Sequence, residues 1–268
     1  MRAFQEGRGL LGSGVCDLAT WTVLLESGWR LGARHLYLRS PHLRGDDVAD
    51  LQVVLGSLGF DAGRVDGIFG PDTVRALAEF QRNVGVPPSG VFGHETCTAV
   101  LRLGHRAPST TVAAVREAET GSSILGQDLN RRVLVAVFPE LGALGRDLRD
   151  HLEHVGYHVT MSEEGDESAH VRRANDLGAG VVVGLAAGSR NSVCYYSTPG
   201  FESVAGRALG ALLSARLDPL ELKGMRLALL RETRMPTVLL TFGALYPQLF
   251  PHLAASIAET IDAWNTNR

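Results

Sequence analysis

The chain has 268 residues, 45% of them hydrophobic and 21% charged, the composition of a soluble globular protein of one or two domains. Its formal net charge of −3 leaves no basic footprint for nucleic acid or an anionic membrane surface. No stretch approaches the roughly 18 consecutive apolar residues that a membrane-spanning helix needs. Cys16, Cys97 and Cys194 are scattered and odd in number. They exclude a disulfide framework and read as isolated reduced thiols of a cytoplasmic protein.

The first residues, Met1 to Gly7, lack the basic and apolar regions of a secretory signal. They open an internal repeat instead. Phe4 to Leu25 aligns without a gap on Phe80 to Leu101, sharing Phe4/Phe80, Gln5/Gln81, Gly9/Gly85, Ser13/Ser89, Gly14/Gly90, Val15/Val91, Thr20/Thr96, Thr22/Thr98 and Leu25/Leu101. The second copy is complete. Val48, Leu51, Leu55 and Leu58 recur at helical spacing, with Gly59 closing that helix. Asp61 to Gly70 is a glycine-rich turn, in which Gly67 and Gly70 permit tight backbone and Asp66 bonds nearby amides. Pro71 starts a second helix with Val74, Leu77 and Phe80 on one face, and Glu95 to Leu101 is a third. The first copy begins inside its second helix. Three explanations stand together: a start placed too late, a fragment, or a half-repeat that packs on its neighbour. Residues 28–42 connect the copies.

The complete copy, about residues 43–103, resembles the peptidoglycan-binding type 1 domain, a small three-helix module. The resemblance rests on Leu51-Gln52, Leu58-Gly59-Phe60, Val65-Asp66-Gly67-Ile68-Phe69-Gly70, Thr73, Phe80-Gln81, Gly85, Gly90 and Thr96. It implies a shallow groove near the glycine-rich turn that contacts glycan or stem peptide, with Asp66, Gly67, Phe69, Gly70 and Thr73 as candidate binding residues. Turn geometry and packing alone also account for each of these five. Residues 104–130 read as a linker, with a short helix over 113–119 and a flexible Gly121-Ser122-Ser123.

From Val133 the pattern changes to strands alternating with helices, which predicts a mainly parallel sheet covered on both faces. Strands are expected at 133–138, 157–161, 181–185 and 193–196, and helices at 141–155, 168–177, 201–217 and 247–264. The stretch from Leu227 to Leu245 reads as two short strands around a polar turn, the second opened by Pro236.

Residues 131–266 resemble the catalytic domain of zinc-dependent N-acetylmuramoyl-L-alanine amidases (amidase-3) through Arg231-Glu232-Thr233 with Met235-Pro236, and through Arg173-Ala174-Asn175 ahead of Val181 to Leu185. The fold class is therefore α/β: small all-α peptidoglycan-binding repeats (a half-repeat over 1–27 and the complete one over 43–103), then an amidase-3-like sheet. The resemblance implies zinc held by His, Glu and His, with a Glu as acid/base. Here the second His position is Ala186 and the catalytic Glu position is Thr241. The first strand ends Val137-Phe138-Pro139 without His, and Glu140 is the only nearby carboxylate. His151 and His154 read as solvated helix residues, His158 lies past Gly156 on a strand, His170 and His252 stand alone, and no nucleophile–base pair surrounds Ser189 or Ser192.

No catalytic residue, no metal ligand and no cofactor is thus expected. The expected function is that of a peptidoglycan-binding pseudo-amidase which regulates cell-wall synthesis or remodelling, similar to actinobacterial regulators of this architecture. The expected partners are peptidoglycan or its precursors and a cell-wall biosynthetic enzyme, with no nucleic acid and no transmembrane segment. The alternative is an active amidase with zinc, hydrolysing the MurNAc–L-Ala bond. The expected location is the cytoplasm, or the cell wall if a signal peptide lies upstream of Met1.

Overall fold

The computed structural model describes residues 1–104, 111–123, 131–139, 141–164, 166–188, 190–198, 200–217, 220–243 and 250–266. Contacts divide the chain into two units. One is Cys16–Glu117 with Pro199–Phe201; the other is Met1–Val15, Ala118–Thr198 and Glu202–Arg268. The cut falls between Val15 and Cys16, inside the half-repeat. Helix α1 (Arg2–Gly7) therefore belongs to the second unit.

The helical unit holds α2 (Leu18–Glu26), α3 (Asp46–Ser57), α4 (Pro71–Val84), α5 (His94–Gly104) and the start of α6 (Val112–Ser123). Helix α4 shows how the sequence sets its ends. Pro71 occupies the first turn, and Gly85 closes the helix in the left-handed region at φ 77, a conformation that favours glycine. Its inner face is Thr73, Ala76, Leu77, Phe80 and Gln81, the i, i+3, i+4 spacing of an amphipathic helix. That face joins Leu51 and Leu55 of α3, Val100 of α5 and Phe69 of the glycine-rich turn in one core. Phe60 meets Phe80 edge-on, with ring centroids 5.6 Å apart. The segment 28–42 is part of this unit's core rather than a bare connection. Leu36 is fully buried and bridges antiparallel to Phe92, while Arg34 makes a two-pronged bond to Asp47 at 2.7 and 3.0 Å.

A buried glutamine organises each turn. Gln52 accepts from the Gly67 amide at 2.9 Å and donates toward Asp66 Oδ1, the Ile68 carbonyl and Thr73 Oγ1. Gln81 accepts from the Gly90 amide at 2.9 Å and donates toward Ser89, the Val91 carbonyl and Thr96. In the other unit, Gln5 accepts from the Gly14 amide at 2.7 Å and donates toward Ser13 and the Val15 carbonyl. The three glycines have positive φ. The repeat seen in the sequence is thus also a repeated hydrogen-bond network, and the complete copy carries it twice, as Gly67-Ile68-Phe69-Gly70 and Gly90-Val91-Phe92-Gly93.

The α/β unit contains β1 (Arg132–Val137), α7 (Gly142–His154), β2 (His158–Ser162), α8 (Glu167–Leu177), β3 (Val181–Ala187), β4 (Ser192–Thr198), β5 (Phe201–Glu202), α9 (Val204–Arg216), β6 (Glu221–Met225), α10 (Ala228–Glu232), β7 (Thr237–Phe242) and α11 (Phe250–Thr266). The sheet order is β2-β1-β3-β7-β4-β5, with β6 beside β4. All described ladders are parallel except β4 against β7. β3 and β7 are apolar almost throughout, as central parallel strands covered on both faces must be. One face packs with α7, α9 and α11 around Val135, Val183, Val238 and Leu240; α8 and α10 contact each other, and α10 contacts β7 and β4.

Two expectations are corrected. Leu227 to Glu232 does not form a strand: Ala228–Glu232 is α10, because Ala, Leu, Arg and Glu are strong helix formers and no β-branched residue opposes them. The strand that precedes β7 is β6, at Glu221–Met225. Gly121-Ser122-Ser123, read as flexible, continues α6. Glu140, Ser189, Pro247 and part of the linker (105–110 and 124–130) lie outside the described residues.

Candidate functional site

The register of four strands brings one row of residues together. Ala186 on β3 pairs with Thr241 on β7, Thr241 pairs with Ser192 on β4, and Ser192 pairs with Glu221 on β6. Register partners share a face, so the two positions singled out from the amidase resemblance lie side by side. Both are buried, Ala186 at 1% exposure and Thr241 at 3%. Thr241 Oγ1 donates to the Arg190 carbonyl at 3.1 Å and lies 2.6 Å from Ser192 Oγ, so its hydroxyl is fully used. A Cβ on Gly188 would come within 2.9 Å of Thr241 Cβ, so the turn after β3 closes tightly over this point. Cys194, two pairs further along β4 and opposite Leu239, is fully buried, and burial pushes its thiol pKa up, which keeps it protonated and inert.

The amidase resemblance implies a zinc ion, and the donor set can be tested against it. Zinc needs imidazole, thiolate or carboxylate donors in a tetrahedral group. This row offers a methyl group at Ala186, two hydroxyls bonded to each other and a single carboxylate, the exposed Glu221. Among the described residues no three His, Cys, Asp or Glu side chains converge as a metal group. The residues at this row do not fit the metal.

A cavity of about 240 Å³ opens at the same end of the sheet. Thr241, Ser192, Gly188, Arg190, Glu221, Lys223 and Met225 line one side, and Glu6, Leu10, Leu11 and Gly12 of the half-repeat line the other. The half-repeat is held there by its backbone. The Gly9 carbonyl accepts from the Arg226 amide at 2.8 Å. Gly9 has φ +65, and a Cβ there would lie 3.0 Å from Met225 Cα and Arg226 N. Only glycine tolerates both the left-handed conformation and so close an approach to the end of β6. Sequence reading missed Glu221, Lys223 and this docking of residues 1–15. The alternation of Glu221, Lys223 and Met225 was the available signal for an edge strand.

The five candidate peptidoglycan contacts lie together around the turn before α4, but most face inward. Gly67 is buried, and Phe69 and Thr73 are exposed by only 0% and 1%. Thr73 is bonded to Gln52. Asp66 Oδ1 accepts from Gln52 and from the Ile68 amide at 2.8 Å. Asp66 and Gly70 alone are partly exposed.

Of the histidines, His154 and His158 are exposed and His151 is partly so, as solvated positions would be; His252 on α11 is also exposed. His170 does not stand alone. It is fully buried, its Nδ1 lies 2.8 Å from Ser162 Oγ, and its ring tilts against Phe138 at 5.0 Å. Burial lowers its pKa from the ordinary 6.5, against the opposing pull of Glu164 and Asp166. A lowered pKa means that the unfolded chain binds the proton first, so stability falls as pH drops below 6.5 toward the folded value. His170→Gln is therefore expected to flatten the pH dependence of the unfolding temperature between about pH 7.5 and pH 5. An unchanged slope in that variant, followed by circular dichroism, would show that His170 carries none of it.

Comparison with known proteins agrees with both halves. The peptidoglycan binding domain family PG_binding_1 matches residues 44–100. N-acetylmuramoyl-L-alanine amidase CwlM of Mycobacterium tuberculosis is 31% identical over 282 residues, covering 91% of this chain and 70% of that protein. The spore cortex-lytic enzyme of Bacillus cereus is 46% identical over 52 residues, 19% of this chain and 20% of that protein. Among solved structures, the CwlD amidase from Clostridioides difficile in complex with the GerS lipoprotein matches with a TM-score of 0.40 and 12% identity, over 52% of this chain and 100% of that one. The likeness to CwlM extends over both the peptidoglycan-binding module and the sheet. The chain belongs to the N-acetylmuramoyl-L-alanine amidase CwlM family, as an amidase-like protein with a peptidoglycan binding domain.

Proposed function

We propose that this protein is a peptidoglycan-binding pseudo-amidase that regulates cell-wall synthesis or remodelling, working without a metal cofactor. The observation that carries the reading is the row Ala186–Thr241–Ser192, in which the positions of a zinc ligand and of the acid/base hold a methyl and a hydrogen-bonded hydroxyl. Metal-assisted hydrolysis needs a polarised water and a proton carrier, and neither position offers a group for these roles. The helical unit supplies recognition of peptidoglycan or its precursors. The α/β unit then serves as a surface for a cell-wall biosynthetic enzyme. Such precursors are made in the cytoplasm, which is where this reading places the protein. No helix among the described residues is long and apolar enough to cross a membrane.

The name of the Mycobacterium tuberculosis relative, an N-acetylmuramoyl-L-alanine amidase, favours a second reading, zinc-dependent hydrolysis of the MurNAc–L-Ala bond. Ala186 and Thr241 stand against it. Recognition is tested by co-sedimentation of the full chain with purified peptidoglycan sacculi. The protein is expected in the pellet and displaced by soluble muropeptides; protein that stays in the supernatant would remove the binding half of the proposal.

A further inference from the structure

The cavity at the end of β7 and β6 has two charged groups of opposite sign that no other described side chain pairs with. Lys223, half-buried on β6, lines it from the sheet side, and Glu6, from α1, lines it from the half-repeat side. No ion pair or hydrogen bond joins either side chain to another described residue. The neighbouring pair, Arg190 and Glu221, already face one another at 3.9 Å and are largely exposed. The same cavity is lined by Ser192 and Thr241 and by the apolar Leu10, Leu11 and Met225.

Lys223, half-buried without a partner, is a cost that a complementary ligand relieves, and Glu6, exposed on α1, supplies the opposite charge at the cavity's rim. Here the two charges come from different walls of one cavity. A ligand that satisfies both must carry an ammonium and a carboxylate with a small body between them. The volume of about 240 Å³ suits a free amino acid or a dipeptide. We propose that this cavity binds a small zwitterion of that class, with its carboxylate on Lys223 and its ammonium on Glu6. Bound there, the ligand bridges the half-repeat to the edge of the sheet and fastens residues 1–15 in place. The site goes beyond the function proposed above and does not depend on peptidoglycan binding by the helical unit.

The test is calorimetric titration of the full chain with alanyl-alanine, with N-acetyl-alanyl-alanine, which lacks the ammonium, and with alanyl-alanine amide, which lacks the carboxylate. The free dipeptide is expected to bind, and either blocked form to bind at least about tenfold more weakly, since each charge-assisted bond is lost. Lys223→Met, at a half-buried position, and Glu6→Gln, at an exposed one, leave the core intact and are expected to weaken the free dipeptide by a similar factor at an unchanged unfolding temperature. Hydrogen exchange of residues 2–15 is expected to slow on binding. No heat with any probe, equal binding of the blocked forms, or unchanged binding by both variants would overturn the proposal. Sacculus co-sedimentation of the same variants is expected to stay at the wild-type level, so failure here is distinguishable from failure of peptidoglycan recognition.

Discussion

Gln81→Leu is expected to destabilise the helical unit by roughly 3 kcal/mol, since each buried partner left unbonded costs about 1–3 kcal/mol. Gln81 is 1% exposed. Its carbonyl receives the Gly90 amide at 2.9 Å, and its amino group serves the Val91 carbonyl and Thr96 Oγ1, each at 2.9 Å, and Ser89 Oγ at 3.3 Å. Leucine matches its bulk and supplies none of these bonds. The Gly90 amide and the Val91 carbonyl would be left without their partner in a turn that the chain cannot rearrange, because Gly90 is held at φ +67 with a Val74 methyl 2.8 Å from where a Cβ would stand. The network acts as a unit, so its loss exceeds that of a single bond. Denaturant unfolding of the full chain measures the effect, with Asn83→Ala on the exposed side of the same helix as the control, expected within about 0.5 kcal/mol of wild type. A loss below about 1 kcal/mol for Gln81→Leu would mean that water replaces the glutamine without penalty.

Thr241→Glu is the second large effect, and it separates a vacated site from a merely substituted one. It returns a carboxylate to the position where the amidase resemblance implies the acid/base. The immediate environment of Thr241 is not built for one. Thr241 is 3% exposed, Gly188 closes over its Cβ, and its neighbours are the Arg190 carbonyl and the Ser192 hydroxyl. A carbonyl oxygen repels a carboxylate, and a lone hydroxyl compensates little of the desolvation; Lys223 and Arg190 line the same cavity, but no described bond joins their charged groups to Thr241. The variant is expected to lose about 3 kcal/mol or more, in the range seen for uncompensated buried charge, and to gain no hydrolysis of muropeptide. Thr241→Val, which keeps the shape and removes the hydroxyl, is expected to cost only about 1 kcal/mol. Stability of Thr241→Glu equal to wild type would show that the cavity beside it accepts a carboxylate, and that more of an amidase site survives than the row of β3, β7 and β4 indicates.

Much of the fold was legible because apolar periodicity and turn chemistry are local signals. The runs at Val133, Val181 and Val238 are continuous because their strands are covered on both faces, and the turn residues repeat because the same backbone geometry recurs at Gly14, Gly67 and Gly90. The proposed loss of the amidase site rests on sequence position: the resemblance nominates Ala186 and Thr241, and the register places those two residues side by side. Two elements escaped for physical reasons. Glu221–Met225 is an edge strand, half exposed, with Lys223 and Gly224 in the middle, so it lacks the apolar signature of a central strand. Leu227 to Glu232 has that signature but is made of helix formers, and its apolar side is covered as α10. The five residues nominated as peptidoglycan contacts show a different limit. A turn that is built to bind and a turn that is built to fold use the same glycines and the same Asp; the buried state of Phe69 and Thr73, which separates the two, is not written in the sequence. Nor is the docking of residues 1–15 beside β6, which rests on the absence of a side chain at Gly9.

The central claim, that the amidase chemistry has gone while the fold remains, is tested most directly by metal stoichiometry measured together with turnover. The full chain is equilibrated with zinc, freed of unbound metal, assayed for metal content and incubated with N-acetylmuramoyl-L-alanine peptides. The account predicts no stoichiometric zinc and no release of peptide. One zinc per chain with cleavage of the MurNAc–L-Ala bond would contradict it, and would mean that donors other than Ala186 and Thr241 have rebuilt the site.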